Sequence, residues 1–124
     1  PYLAVSADEG HACAVDAAGA VTCWGANQFG QGMPPAGTFA QVGTGSYHTC
    51  GLMANGAMAC WGGSPSDLAS TLAKTPPSGS FVHIAIGWNH NCGLKADGAV
   101  VCSGDNSFGQ MTPPPGLKVT LPSP

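Results

Sequence analysis

The 124 residues are enough for one domain with a moderate core, and 44% of them are hydrophobic, with 19 Gly and 11 Pro. Only 7% are charged, against about a quarter in ordinary soluble domains; Arg is absent, and Lys74, Lys95 and Lys118 are the only firm cations. A net charge of −3 with no basic cluster removes the main energetic term for phosphate-backbone binding, which excludes nucleic acid as a partner, and no apolar run approaches the ~20 residues of a membrane span.

In chain order, the elements are short strands separated by turns. A strand-like lead-in, Tyr2-Leu3-Ala4-Val5, precedes His11-Ala12-Cys13. A hairpin then turns at Ala17-Ala18-Gly19 and returns through Cys23-Trp24-Gly25. Asn27-Gln28-Phe29-Gly30-Gln31 and Pro34-Pro35-Ala36-Gly37 follow as a connection. The series restarts at Phe39-Ala40-Gln41-Val42 and runs through His48-Thr49-Cys50, the turn Ala54-Asn55-Gly56, and Cys60-Trp61-Gly62. It restarts again at Phe81-Val82-His83-Ile84, with His90-Asn91-Cys92, the turn Ala96-Asp97-Gly98, and Cys102-Ser103-Gly104. Three copies at a period near 40 residues define a tandem array, with units of about 1–37, 38–79 and 80–116 in one domain. Residues 117–124 open like a further strand. Each unit supplies three to four strands, so the fold class is all-β.

The cysteine spacing constrains the hairpin. A two-residue loop at Asn55-Gly56 places Cys50 opposite Trp61 and leaves Cys60 on the other face of the ribbon. A three-residue loop with Gly56 in the left-handed region sets Cys50 opposite Cys60, within bridging distance. The same arithmetic pairs Cys13 with Cys23 and Cys92 with Cys102. These pairings are preferred over buried thiols or zinc, because His-x-Cys with one distant Cys lacks the C-x-x-C knuckle. Six paired cysteines predict an oxidising compartment, extracellular, cell-surface or periplasmic. A start at Pro1 without a signal-peptide pattern fits a mature or trimmed chain.

From Gly-x-x-His through the hairpin to Cys-Trp-Gly-x-Asn-x-Phe-Gly-Gln, the unit resembles the regulator of chromosome condensation type of repeat. The short period and the Gln-x-x-Pro-Pro-x-Gly connection resemble its compact bacterial variety, which includes a propeller-type β-lactamase inhibitor. The resemblance implies a β-propeller with one repeat per blade and seven blades in those relatives. It implies no single activity, since its members serve as exchange factors, inhibitors and recognition modules.

Three features depart from the pattern. Residues 63–74 replace the Asn-x-Phe-Gly-Gln segment of the second unit, with Ser66 a candidate helix cap. Ser103 stands where the other units have Trp. Three blades are too few to close a ring, so two faces and strand edges stay open to pairing.

The sequence therefore predicts a secreted, non-enzymatic structural module that self-associates through exposed blade edges, either into a closed propeller or into a filament. The alternative is an extracellular binding module, a lectin-like adhesin or a protein inhibitor, with a protein or glycan ligand. Its candidate surface is Trp88, Tyr47, Asn27, Gln31, Asn106 and Gln110, set against packing and turn roles for the same residues. No cofactor or metal is expected. Catalysis is not expected either: the few acids fall in predicted turns, and no nucleophile motif or phosphate loop appears.

Overall fold

A computed structural model describes residues 2–8, 10–27, 29–64, 75–105, 109 and 112–119. The replaced segment of the second unit from 65 to 74, and the last residues from 120 on, lie outside that description. Among the described residues nine strands form three antiparallel three-stranded sheets, each a simple meander. The first contains β1 (Tyr2–Ala7), β2 (His11–Asp16) and β3 (Val21–Gly25). The second contains β4 (Phe39–Thr44), β5 (His48–Met53) and β6 (Met58–Gly62). The third contains β7 (His83–Ile86), β8 (His90–Leu94) and β9 (Val100–Gly104). Each sheet is one propeller-type blade, the blades follow one another face to face, and the series does not close. Among the described residues no helix is long and apolar enough to cross a membrane.

The hairpins form as the spacing predicts. Met53 N–H bonds Ala57 O at 2.8 Å and Gly56 N–H bonds Met53 O at 2.9 Å, which closes a three-residue loop with Gly56 at φ 92°. The Asn55 carboxamide oxygen accepts from Ala57 N–H, and Asp16 and Asp97 do the same work in the other two turns. Cys13, Cys50 and Cys92 consequently face Cys23, Cys60 and Cys102 in register, with Cα atoms 4.1, 4.0 and 4.1 Å apart, and all three pairs are disulfides.

The position of a blade in the series decides how its strands are buried. In β5, His48, Cys50 and Leu52 point forward to the third blade, while Thr49, Gly51 and Met53 point back to the first; the strand is buried almost throughout. A strand covered on both faces loses the polar alternation of an ordinary sheet. In β7 the alternation survives: Ile84 is buried and packs back on the second blade, whereas His83 and Ala85 on the opposite face are exposed.

Two apolar clusters hold the blades together. At the first joint, Phe39, Val42 and Trp61 of the second blade pack on Cys13 and Val15 of the first. At the second, Phe81 and Ile84 pack on Cys50, Leu52 and Met58. Phe39 and Phe81 pack over Gly51 and Gly93 of their own blades, so tightly that a methyl on either glycine would overlap the ring. Glycine is required there for close approach, not for backbone freedom.

Candidate functional site

The chemistry of this chain sits at the joints and at the two faces that have no joint. At the first joint His11 Nε2 lies 2.8 Å from Thr49 Oγ1, and at the second His48 Nε2 lies 2.7 Å from Asn91 Oδ1. In both cases the histidine of one blade meets the residue directly after the histidine of the next. The direction of each bond follows from the partners. Thr49 gives its hydroxyl hydrogen to Gln31 O at 2.8 Å, so it accepts from His11; Asn91 Oδ1 can only accept. Both imidazoles therefore carry hydrogen on Nε2 and present a bare, buried Nδ1.

Burial pushes both imidazoles below the ordinary histidine range. For His11 the backbone of His48 and the charge of Asp8 oppose that shift only in part. For His48 the Asn91 bond is the leading opposing influence, while His11 and His90 add to the lowering. A depressed histidine is stabilising while neutral, so this contribution is complete above the unfolded value near 6.5 and is lost as pH falls below it. The melting temperature is thus expected to fall from pH 7 to pH 5, with a shallower fall in His48→Leu, as measured by thermal circular dichroism. Asp97, held low by Ala99 N–H and then by Lys118, titrates in a separate and more acid window.

Further bonds register the joints at their edges. The Gln41 carboxamide spans the second joint, Nε2 donating to Ile84 O at 3.0 Å and Oε1 accepting from Ile84 N–H at 3.1 Å. Ser46 N–H donates to Trp88 O at 3.0 Å, and Ser6 Oγ lies 3.1 Å from Thr44 Oγ1. Trp61 Nε1 donates to Gln31 O at 3.0 Å, while Ser103, in the corresponding place, donates to Thr75 O at 2.8 Å. The third blade thus replaces an indole contact with a hydroxyl contact.

The residues expected to form a binding surface divide. Gln31 is 1% exposed: its carbonyl serves Thr49 and Trp61, and its side chain accepts from Phe29 N–H, so it belongs to the first joint. Tyr47 packs edge-on against Phe29 with centroids 5.2 Å apart, and Asn27 closes a turn by accepting from Gly32 N–H. Trp88 is exposed. Asn106 and Gln110 lie outside the described residues. Thr49, Asn91 and Gln41 were missed by sequence reasoning, although aligning the three units at the residue after His (Ala12, Thr49, Asn91) would have flagged the variation.

The open faces are the counterparts of the joints. On the back of the first blade, Trp24 is 54% and Val5 is 67% exposed, whereas Trp61 and Val42, their equivalents in the second blade, are 9% and 5% exposed. On the front of the third blade, a groove of about 290 Å³ is lined by His83, Ala85, Cys92, Leu94, Val100 and Val119.

Fold and faces define an open array of disulfide-stapled β-propeller blades. The chain belongs to the regulator of chromosome condensation (RCC1) repeat family, whose model matches residues 4–31, 39–66 and 81–110. It is similar to the ectodomain of the receptor kinase CR4 from Physcomitrella patens, with 34% identity, a TM-score of 0.66, and coverage of 83% of this chain and 30% of that one. The CRINKLY WD40 ectodomain of the Arabidopsis thaliana receptor kinase ACR4 matches at 27% identity and TM-score 0.64, over 84% and 36% of the respective chains. Prp20p from Saccharomyces cerevisiae, described with its binding to Gsp1p and histones, shares the fold at 17% identity and TM-score 0.65, over 89% and 34%. The chain spans about a third of the length of each. No curated protein sequence matches it. Three disulfides fit an oxidising environment.

Proposed function

We propose that the chain is a secreted, non-enzymatic structural module that self-associates, its open blade faces recruiting a second copy to complete a ring or to extend a filament. The observation that carries this reading is the exposure of Trp24 and Val5 at positions that the second blade buries against its neighbour. An exposed apolar face of this kind marks an interaction site, and in a repeat array the unit that covers such a face is a neighbouring one. A heterologous contact between the front of the third blade and the back of the first closes or propagates according to its rotation. Sedimentation equilibrium and native mass spectrometry of the oxidised chain test it. A ring gives a discrete mass of two chains, and a filament gives an open-ended distribution that depends on concentration. A monomer at tens of micromolar, a range typical of weak assemblies, rejects self-association.

The second reading, an extracellular lectin-like or inhibitor-type binding module, is favoured by the exposure of Trp88. Aromatic residues of this kind anchor recognition surfaces. Loss of glycan or protein capture in Trp88→Ala, with the disulfide map unchanged, supports it, and equal capture rejects Trp88 as the anchor.

A further inference from the structure

We infer that the open face of the third blade selects, among blades of this family, one that carries a hydrogen-bond acceptor directly after its own histidine. By the same logic the first blade of a second copy, with Ala12 at that position, docks on this face more weakly than such a blade would, so that self-association through this joint falls short of its full strength. The inference rests on the blade-docking reading above and specifies which blade the joint prefers.

The two existing joints set the rule. Each is centred on a neutral imidazole donating from Nε2 to the side chain that follows the next blade's histidine, a hydroxyl in Thr49 and a carboxamide in Asn91. The acceptors share one register position: Thr49 lies opposite Trp61 and Asn91 opposite Ser103, on the backward face of their sheets. His90 is the third histidine in the series. It lies opposite Gly104 as His11 lies opposite Gly25 and His48 opposite Gly62, so it belongs to the same forward face as Cys92, two residues on, which lines the groove.

The occupant of that groove is a blade because the pattern that introduces a blade has already begun there. Phe39 N–H bonds Gly19 O at 2.9 Å and Phe81 N–H bonds Gly56 O at 2.7 Å, each leading into the first strand of the following sheet. Val119 N–H bonds Gly98 O at 2.9 Å in the same way. The forward faces of the first and second blades, around Cys13 and Cys50, are both buried under the blade that follows.

The first blade does not supply what this face asks for. Ala12 lies opposite Trp24, in the register of Thr49 and Asn91, and a methyl accepts no hydrogen bond. Packing it over His90 buries an N–H with no acceptor, which costs more than the bond itself would contribute. Its neighbour Ala14 lies opposite Val5 where the other blades have glycine under an aromatic ring, so the first blade also lacks the slot that seats Phe39 and Phe81. The joint discriminates by leaving a polar group unpaired in the wrong complex, a general route to specificity.

The test is a double-mutant cycle on self-association, with dissociation constants from analytical ultracentrifugation for the wild type, Ala12→Thr, His90→Leu and the double variant. Positions 12 and 90 sit on the first and third blades, so coupling between them reports a contact between copies. Ala12→Thr is expected to tighten association roughly fivefold to tenfold per joint, the value of one buried hydrogen bond. His90→Leu is expected to abolish that gain in the Ala12→Thr background and not to weaken the wild type. Unchanged circular dichroism and disulfide maps establish that each variant is folded. A wild type that associates without response to Ala12→Thr overturns the selection rule and leaves self-association standing. A monomeric wild type with an associating Ala12→Thr variant overturns self-association and supports the rule. Monomers throughout overturn both.

Discussion

Full reduction of the three disulfides is expected to unfold the array at room temperature, with loss of the far-ultraviolet strand signal on addition of a phosphine reductant. Each bridge closes a short hairpin between cysteines ten residues apart. The chain-entropy model assigns roughly 3 kcal/mol to a loop of this size, so three independent bridges contribute on the order of 9 kcal/mol. Domain stabilities are about 5–15 kcal/mol, and an open three-blade array with few charged groups has little reserve elsewhere. The bridges are also packing elements. Cys13 and Cys50 are fully buried in the apolar clusters of the two joints, Cys13 with Phe39 and Val42 and Cys50 with Phe81 and Ile84. Replacing Cys50 and Cys60 together by Ser therefore removes the loop constraint and also places two hydroxyls at an apolar joint. The expected loss is at least the roughly 3 kcal/mol of the single bridge, by urea titration. A reduced chain that melts cooperatively at its oxidised temperature, with six free thiols counted, would show that the joints alone hold the array.

The elements that could be read from the sequence are the local ones. Loop length, the glycine at the third loop position and the cysteine register are all fixed within about ten residues, and the hairpins formed accordingly. The blade count followed from the period alone. The joints were not legible, because their contacts link residues such as His48 and Asn91, which are 43 apart in the chain. Gln31 shows the difficulty well. An amide in a loop of polar and glycine residues reads as surface, yet its carbonyl is the common acceptor for Thr49 and Trp61, and it is buried by a blade that begins eight residues later. The reverse holds for Trp24. As a tryptophan beside a cysteine it reads as core, and its burial depends on a neighbour on the backward face of the first blade.

Phe81→Ala is expected to cost about 3–5 kcal/mol, the usual range for deleting a buried aromatic ring that its surroundings cannot replace. Phe81 is the largest side chain in the second joint, where it packs with Ile84 on Cys50, Leu52 and Met58. Collapse into the vacated volume is obstructed on its own side. The ring covers Gly93, which has no side chain to move into the space, and the backbone there is fixed by β8 pairing. Phe39→Ala at the first joint is expected to cost less, because Trp61 lies edge-on to Phe39 with centroids 5.8 Å apart and can shift toward the gap. The second joint has Ser103 in place of that indole, and among the described residues its apolar cluster holds no aromatic ring besides Phe81. In a nearest-neighbour array the loss falls on the damaged joint, not on the whole chain. Hydrogen exchange of Phe81→Ala should therefore speed up first in β7 to β9, while β1 to β3 retain their protection until the remaining pair of blades unfolds. A uniform loss of protection across all nine strands would mean that the three blades unfold as one cooperative unit, and a stability loss below about 1 kcal/mol would mean that the joint repacks around the missing ring.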